Sequence, residues 1–261
     1  MAATAAASGT SLPYPVALDV ADDPAAWESA GFVVTPSPSG GLVHLGEVTV
    51  RLVGRDDGDD CAGGAIGWTF ANWPREASDI DGIPTGAGAP PASSEDPRHP
   101  NGVIGVDHIV LQSGGLQQTL AAFANVGLEP LRQTSAVRKG ITQVFYRPSA
   151  TIIEVVCIKN PPQRSCLWGL TLVTSDVDRT HTTLSETTKP PWPAVQPGRR
   201  MTVLAHREHR ISVAVAFMSP HVPGLSGTKA EQDALFQRRA RMQEEELRRR
   251  AKGEEHERSK L

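Results

Sequence analysis

Glu154 is the only charged residue in the apolar run Thr151 to Ile158 (TIIEVVCI), and His108 sits in a second apolar run, Val106 to Leu111 (VDHIVL). A carboxylate on a strand that faces a sheet interior is costly without a partner. The sequence supplies Arg147, Arg199, Arg200 or His108 for that purpose. Held by a cation, Glu154 is a structural ion pair. Desolvated without one, its pKa rises and it becomes a general base for enolising or epimerising chemistry beside a carbonyl. Glu154 and His108 are therefore the candidate catalytic residues.

The phrase Gln196-Pro197-Gly198-Arg199-Arg200 reads as a tight turn that delivers two guanidiniums to a strand start. Guanidinium binds carboxylate or phosphate bidentately, so Arg199 and Arg200 are candidate anchors for an acidic small molecule or acyl thioester. Consecutive strand residues point to opposite faces, so at most one of the two enters a pocket. Trp168 and Phe145, with Phe217 and Met218, are candidates for an apolar pocket wall. Tyr146 is offset by one from Phe145 and should face the other way. Cys61, Cys157 and Cys166 form no CxxC pair and read as reduced, structural thiols. The sequence has no Gly-rich phosphate loop, nucleophile elbow or dinucleotide fingerprint.

The elements that must carry these residues repeat. Val106 to Leu111 is a strand, and Leu116 to Val126 has helical spacing, with Gly127 placed to end it. Strand-like runs follow at Glu129 to Ser135, Ile141 to Tyr146 and Thr151 to Ile158. The grammar restarts with a strand at Trp168 to Val173 and a weaker helix at Asp176 to Glu186. Strands follow near Pro193, Arg200 and Ser212. It is also present in Pro15 to Val53, and Ala65 to Phe70 looks like the first strand of a further copy. A repeated unit that cannot close its own core must pair with another. This predicts an α+β fold of repeated βαβββ units. The expected divisions are a leader (1–13), an N-terminal half-module (14–72), a Pro/Gly-rich linker (73–102), a paired domain (103–220) and a charged helical tail (221–261).

The phrases VDHIVLQSGGLQQTLAAF, TIIEVVCI, WGLTLVTSDVD, AVQPGRRMTVL and VAVAFMSP resemble the vicinal oxygen chelate superfamily, the glyoxalase and bleomycin-resistance fold. The resemblance covers about 105–220, with a weaker echo over 14–70. It implies that the βαβββ units form a cupped mixed sheet with a small-molecule ligand in the cup, and a lyase or isomerase acting on an acidic or carbonyl metabolite. The alternative it implies is a non-catalytic, metal-free ligand-sequestering protein of the bleomycin-resistance type. Homodimers are common in the superfamily. Its metal members hold a divalent ion with four ligands, and His108 and Glu154 stand at two of those positions. The other two fall at Gly169 and near Ala216, which cannot ligate. The N-terminal unit offers Val16 or Ala17, and Arg51 in place of the carboxylate. The expectation is no cofactor, because a divalent metal would need His44, His206 or His209 to complete its site.

Ser259-Lys260-Leu261, read as a terminal tripeptide, is a receptor-read import address. It predicts a peroxisomal or glycosomal matrix protein with the import receptor as partner. The run from Lys229 to Arg258 sets three Glu residues four positions before three Arg residues, an order that favours helix. Removing Leu261 from a fluorescent fusion should turn punctate organellar signal into diffuse cytosolic signal, and an unchanged distribution refutes the address. A net charge of −3 gives no pull toward nucleic acid, and no apolar run is long enough for a membrane helix.

Overall fold

Hydrophobic periodicity alternates between strand and helix along the chain, and the computed structural model follows it. The structure describes residues 12–54, 64–91, 98–135 and 140–221. The leader's first eleven residues, Cys61, the charged helical tail and Ser259-Lys260-Leu261 lie outside the described residues. The first unit comprises β1 (Tyr14–Val20), α1 (Pro24–Ser29), β2 (Thr35–Ser37), β3 (Gly40–Leu45) and β4 (Val48–Leu52). The second has no described helix: β5 (Ala65–Ala71), β6 (Asp79–Ile80) and β7 (Ile83–Ala87). The third comprises β8 (Val103–Gln112), α2 (Leu116–Asn125), β9 (Arg132–Ser135), β10 (Ile141–Tyr146) and β11 (Ile152–Ile158). The fourth comprises β12 (Cys166–Thr174), α3 (Val177–Thr183), β13 (Trp192–Pro193), β14 (Arg200–Val203) and β15 (Ala214–Met218).

In each complete unit the last strand pairs parallel with the first: β1 with β4, β8 with β11, and β12 with β15. The first strands of successive units pair antiparallel, β1 with β5 and β8 with β12. Two cups result, joined where Leu167 of β12 pairs with Ala65 of β5. The fold is α+β, with repeated βαβββ units and a cupped mixed sheet.

Two local devices stop the helices where the sheet needs them. Gly127, at φ 79°, takes the left-handed turn after α2, and the Leu128 amide bonds the Phe123 carbonyl at 3.0 Å. Asp176 caps α3 by accepting from the amides of Asp178 and Arg179 at 3.0 and 3.1 Å. The convex face of the sheet and the helices bury Trp27, Trp68, Phe70, Phe123, Tyr146 and Phe217. Tyr146 stacks on Phe123 at 4.3 Å, on the face opposite Phe145 as expected. Burial and the charge of Glu129 push its phenol up to about 12.

The expected linker at 73–102 is corrected by the structure. Its middle forms β6 and β7, with Ile80 and Ile83 buried in the core. β7 lies parallel to β5, and the indole of Trp68 donates to Thr85 at 2.7 Å. Ala65 to Phe70 is thus no lone strand: β6 and β7 complete its unit. The end of the stretch is also tied down. His99 accepts from the Val33 amide at 2.9 Å and binds the His44 carbonyl at 2.9 Å, while Asn101 donates to Ala30. Proline and glycine density marked turns here, and the short strands between them carried too little periodicity to read.

The first and fourth units also meet through His209. Its ring lies 2.8 Å from the Ser29 hydroxyl and 2.9 Å from that of Thr187. Burial pushes its pKa below 6.5, with Glu208 opposing. The unfolded chain therefore takes up a proton first, so this stabilising contribution is complete above pH 6.5 and declines as pH falls below it. The urea midpoint should fall between pH 7 and pH 5, and His209→Gln should flatten that fall. A variant with the wild-type pH slope contradicts this.

Candidate functional site

Strand alternation alone would put Asp107 and His108 on opposite faces. They share a face because β8 carries a bulge: Val106 pairs with Leu172 and His108 with Thr171, leaving Asp107 extra. The same device recurs in the other three first strands. The extra residue is Val16 in β1, Ile66 in β5 and Trp168 in β12. The residue after each bulge is Ala17, Gly67, His108 or Gly169. Two residues further on, Asp19, Thr69, Val110 and Thr171 pair with Arg51, Gly86, Glu154 and Ala216 of the parallel strand. Four equivalent positions are thus defined by register. Only the third unit combines an imidazole with a carboxylate.

That combination forms a connected chain of polar groups. His108 Nδ1 lies 2.9 Å from Asp107 Oδ2, and His108 Nε2 lies 3.3 Å from Glu154 Oε2. Gln143 donates its amide to Glu154 Oε1 at 2.5 Å. Arg199 pairs with Asp107 Oδ1 at 2.6 Å, and donates from Nε to the Ser219 carbonyl at 2.8 Å and from Nη1 to Gln196. The side chains of His108, Asp107 and Glu154 are 15 %, 11 % and 11 % exposed, low enough to strengthen every charge interaction among them. Burial pushes the Asp107 carboxyl up. The hydrogen bond and charge of His108 and the Arg199 guanidinium outweigh it, so Asp107 sits below the usual carboxylate value of 3.8.

The register also sets the surroundings. Gly169, Val110, Glu154, Phe145 and Arg132 lie in one row across five strands. Thr171, His108 and Ile152 form the neighbouring row. Small residues at Gly169, Ala214 and Ala216 leave the floor on that side low. An ionisable pair thus stands on the floor of the cup with Val110, Phe145 and Ile152 beside it, which suits proton transfer on a small substrate.

Several sequence expectations need correction. Arg199 is the guanidinium turned inward, but it is 3 % exposed and clamps Asp107, so it is not available as a substrate anchor. Arg200 is exposed and pairs with Asp178 at the start of α3. Trp168 occupies a bulge at the seam between the cups and is 54 % exposed, so it packs into no pocket wall. Phe217 belongs to the core on the convex face. Phe145 does lie beside Glu154. His44 contacts Thr49 in the other cup, while His206 bonds the Ile211 carbonyl and His209 joins Ser29 and Thr187. None of the three reaches His108.

A four-ligand metal site does not fit these residues. Its other two positions are filled by Gly169 and Ala216, which have no ligating side chain. The described residues contain no group of three or more His, Cys, Asp or Glu placed to hold a metal ion. In the N-terminal cup, Arg51 is bonded to Asp19 at 2.6 and 2.8 Å and to Thr69 at 2.6 Å, so the ion pair is closed on itself. A cavity of about 310 Å³ lies at Asp81, Gln118, Arg164 and Ser165. There Asp81 accepts from Gln118, Thr119 and Ser165, a capped carboxylate with no proton-transfer partner. Sequence reading missed Asp107 and Gln143. Only a bulge puts Asp107 beside His108, and only cross-strand register puts Gln143 beside Glu154.

No family model matches the sequence, and no curated protein does. Similar solved structures include methylmalonyl-CoA epimerase from Mycobacterium tuberculosis, at 14 % identity and TM-score 0.39, covering 46 % of this chain and 91 % of that one. Methylmalonyl-CoA epimerase from Streptomyces coelicolor in complex with 2-nitronate-propionyl-CoA matches at 14 % identity and TM-score 0.38, over 48 % of this chain and 99 % of that one. A hypothetical protein from Bacillus halodurans C-125 matches at 15 % identity and TM-score 0.38, over 46 % and 96 %.

Proposed function

We propose that this chain is a glyoxalase-like member of the vicinal oxygen chelate superfamily that moves a proton on a carbon beside a carbonyl, an isomerase-type reaction. The observation that carries the reading is the contact between His108 Nε2 and Glu154 Oε2 at 3.3 Å on the floor of the cup. Asp107 holds Nδ1 and so fixes the ring, and Arg199 in turn holds Asp107. Gln143 occupies Glu154 Oε1, which leaves Oε2 as the oxygen that exchanges a proton with substrate or with His108. The two groups sit on one face of the ligand space. That placement suits moving a proton between neighbouring atoms on one side of a substrate, with Glu154 as base and His108 as the group that shares the proton.

Proton exchange into D2O, followed by NMR across a panel of 2-oxo acids, hydroxy ketones and acyl thioesters, tests the reading. Exchange that requires Glu154 supports it. Metal-free sequestration is the second reading, favoured by Gly169 and Ala216 at the other two ligand positions. Binding of a panel member without any exchange, in wild type and Glu154→Gln alike, would select it.

A further inference from the structure

Thr171 stands in the fourth unit where Thr69 stands in the second. Leu170 and Leu172 on either side of it belong to the core, so alternation turns Thr171 to the concave face with His108, its cross-strand partner. Opposed side chains of an antiparallel pair lie about 5 Å apart at Cβ. The two threonines are similarly buried, at 7 % exposure for Thr69 and 5 % for Thr171, but they differ in bonding. Thr69 Oγ1 accepts from Arg51 at 2.6 Å. Arg51 stands in the N-terminal cup where Glu154 stands in the other, on the strand parallel to the first of its unit. Glu154 is engaged by Gln143 and His108 instead. Ala216, the neighbour of Thr171 on β15, offers no polar side chain. The Thr171 hydroxyl thus has no hydrogen-bond partner among the described residues and, unlike those of Thr134 and Thr151, it is not sealed from solvent. A largely buried hydroxyl in that state is costly unless something entering the cup satisfies it.

We infer that the Thr171 hydroxyl binds the reacting carbonyl oxygen of the substrate, in the space that Arg51 closes in the N-terminal cup. The inference deepens the proton-transfer reading and rests on it for the chemistry. Glu154 Oε2 takes the proton from the carbon beside the carbonyl. The C–H electron pair becomes the second bond of the enolate, and the carbonyl π pair moves onto the oxygen. Thr171 keeps its own proton and donates a hydrogen bond to that oxygen as charge develops there. Return of the proton from Glu154 to the former carbonyl carbon completes the isomerisation. Thr171 and His108 stand side by side, so oxygens on adjacent carbons meet them together. The substrate class is then an α-hydroxy ketone or aldehyde, with its carbonyl oxygen at Thr171 and its hydroxyl at His108.

Isothermal titration of the full chain with acetohydroxamate, a neutral mimic of an enediol, tests the site. Wild type should bind it, and Thr171→Val should weaken binding about 3- to 10-fold, while Thr171→Ser stays within about twofold. In D2O exchange with hydroxyacetone, Thr171→Val should lower kcat about 10²-fold with a KM rise of at most about tenfold, since the oxygen carries charge only in the transition state. The urea midpoint separates this role from a structural one. Thr171→Val should hold or raise it, because a methyl replaces a hydroxyl without a partner, whereas Thr69→Val should lower it. No acetohydroxamate binding by wild type, or binding that Thr171→Val leaves within about twofold, overturns the subsite. So does a midpoint that Thr171→Val lowers as far as Thr69→Val does. Binding through Thr171 with exchange that ignores Glu154 keeps the subsite and removes the proton-transfer reading. Exchange that needs Glu154 but not Thr171 does the reverse.

Discussion

Arg199→Met is expected to destabilise the protein by about 3–5 kcal/mol, the cost of leaving a buried charge without its partner. The Arg199 side chain is 3 % exposed and Asp107 only 11 %. Removing the guanidinium leaves the Asp107 carboxylate in a dry site with His108 alone, and strips the Ser219 carbonyl of its donor. Arg200 supplies the control. It is 44 % exposed against an Asp178 that is 59 % exposed, so solvent screens the pair and Arg200→Met should cost under about 1 kcal/mol. Urea denaturation at constant m-value measures both, and equal midpoints for the two variants would refute the clamp. Pairing Arg199→Met with Asp107→Leu should restore part of the loss, because the stranded charge is then gone. The acid side follows from Asp107. Its folded value lies below 3.8, so its contribution is complete above that pH and is lost as pH falls through the lower value. Without Arg199 that loss should begin at higher pH.

For the chemistry, Glu154→Gln should lower the proton-exchange rate about 10²- to 10⁴-fold, the usual weight of a positioned general base. The substitution keeps shape, and the new amide oxygen can still accept from Gln143, so the urea midpoint should move little. His108→Ala should cost a similar factor. The double variant should be little slower than either single one, because the two groups share one proton path. A multiplicative loss in the double variant would mean that they act separately. Asp107→Asn tests positioning: it should shift the pH–rate profile, since it changes what faces His108 Nδ1.

The sequence by itself determined the repeat and singled out His108 and Glu154 as a candidate pair. Leu116, Leu120 and Phe123 repeat at helical spacing, and α2 runs over Leu116–Asn125. VDHIVL and TIIEVVCI are short apolar runs, and they became β8 and β11, paired parallel with His108 and Glu154 on one face. These properties follow from local periodicity, which a sequence carries without its partners. Arg199 and Arg200 also separated inward and outward, as neighbours at a strand start must. Tertiary structure decided the rest. No local pattern announces that Asp107 is an extra residue opposite β12, because a bulge exists only relative to the strand it fails to match. The same holds for Gln143, which meets Glu154 across the β10–β11 pair, and for β6 and β7, whose few residues gain their strand identity by pairing with each other and with β5. Composition placed a carboxylate and an imidazole on two strands. Register, a non-local property, chose which other side chains they meet.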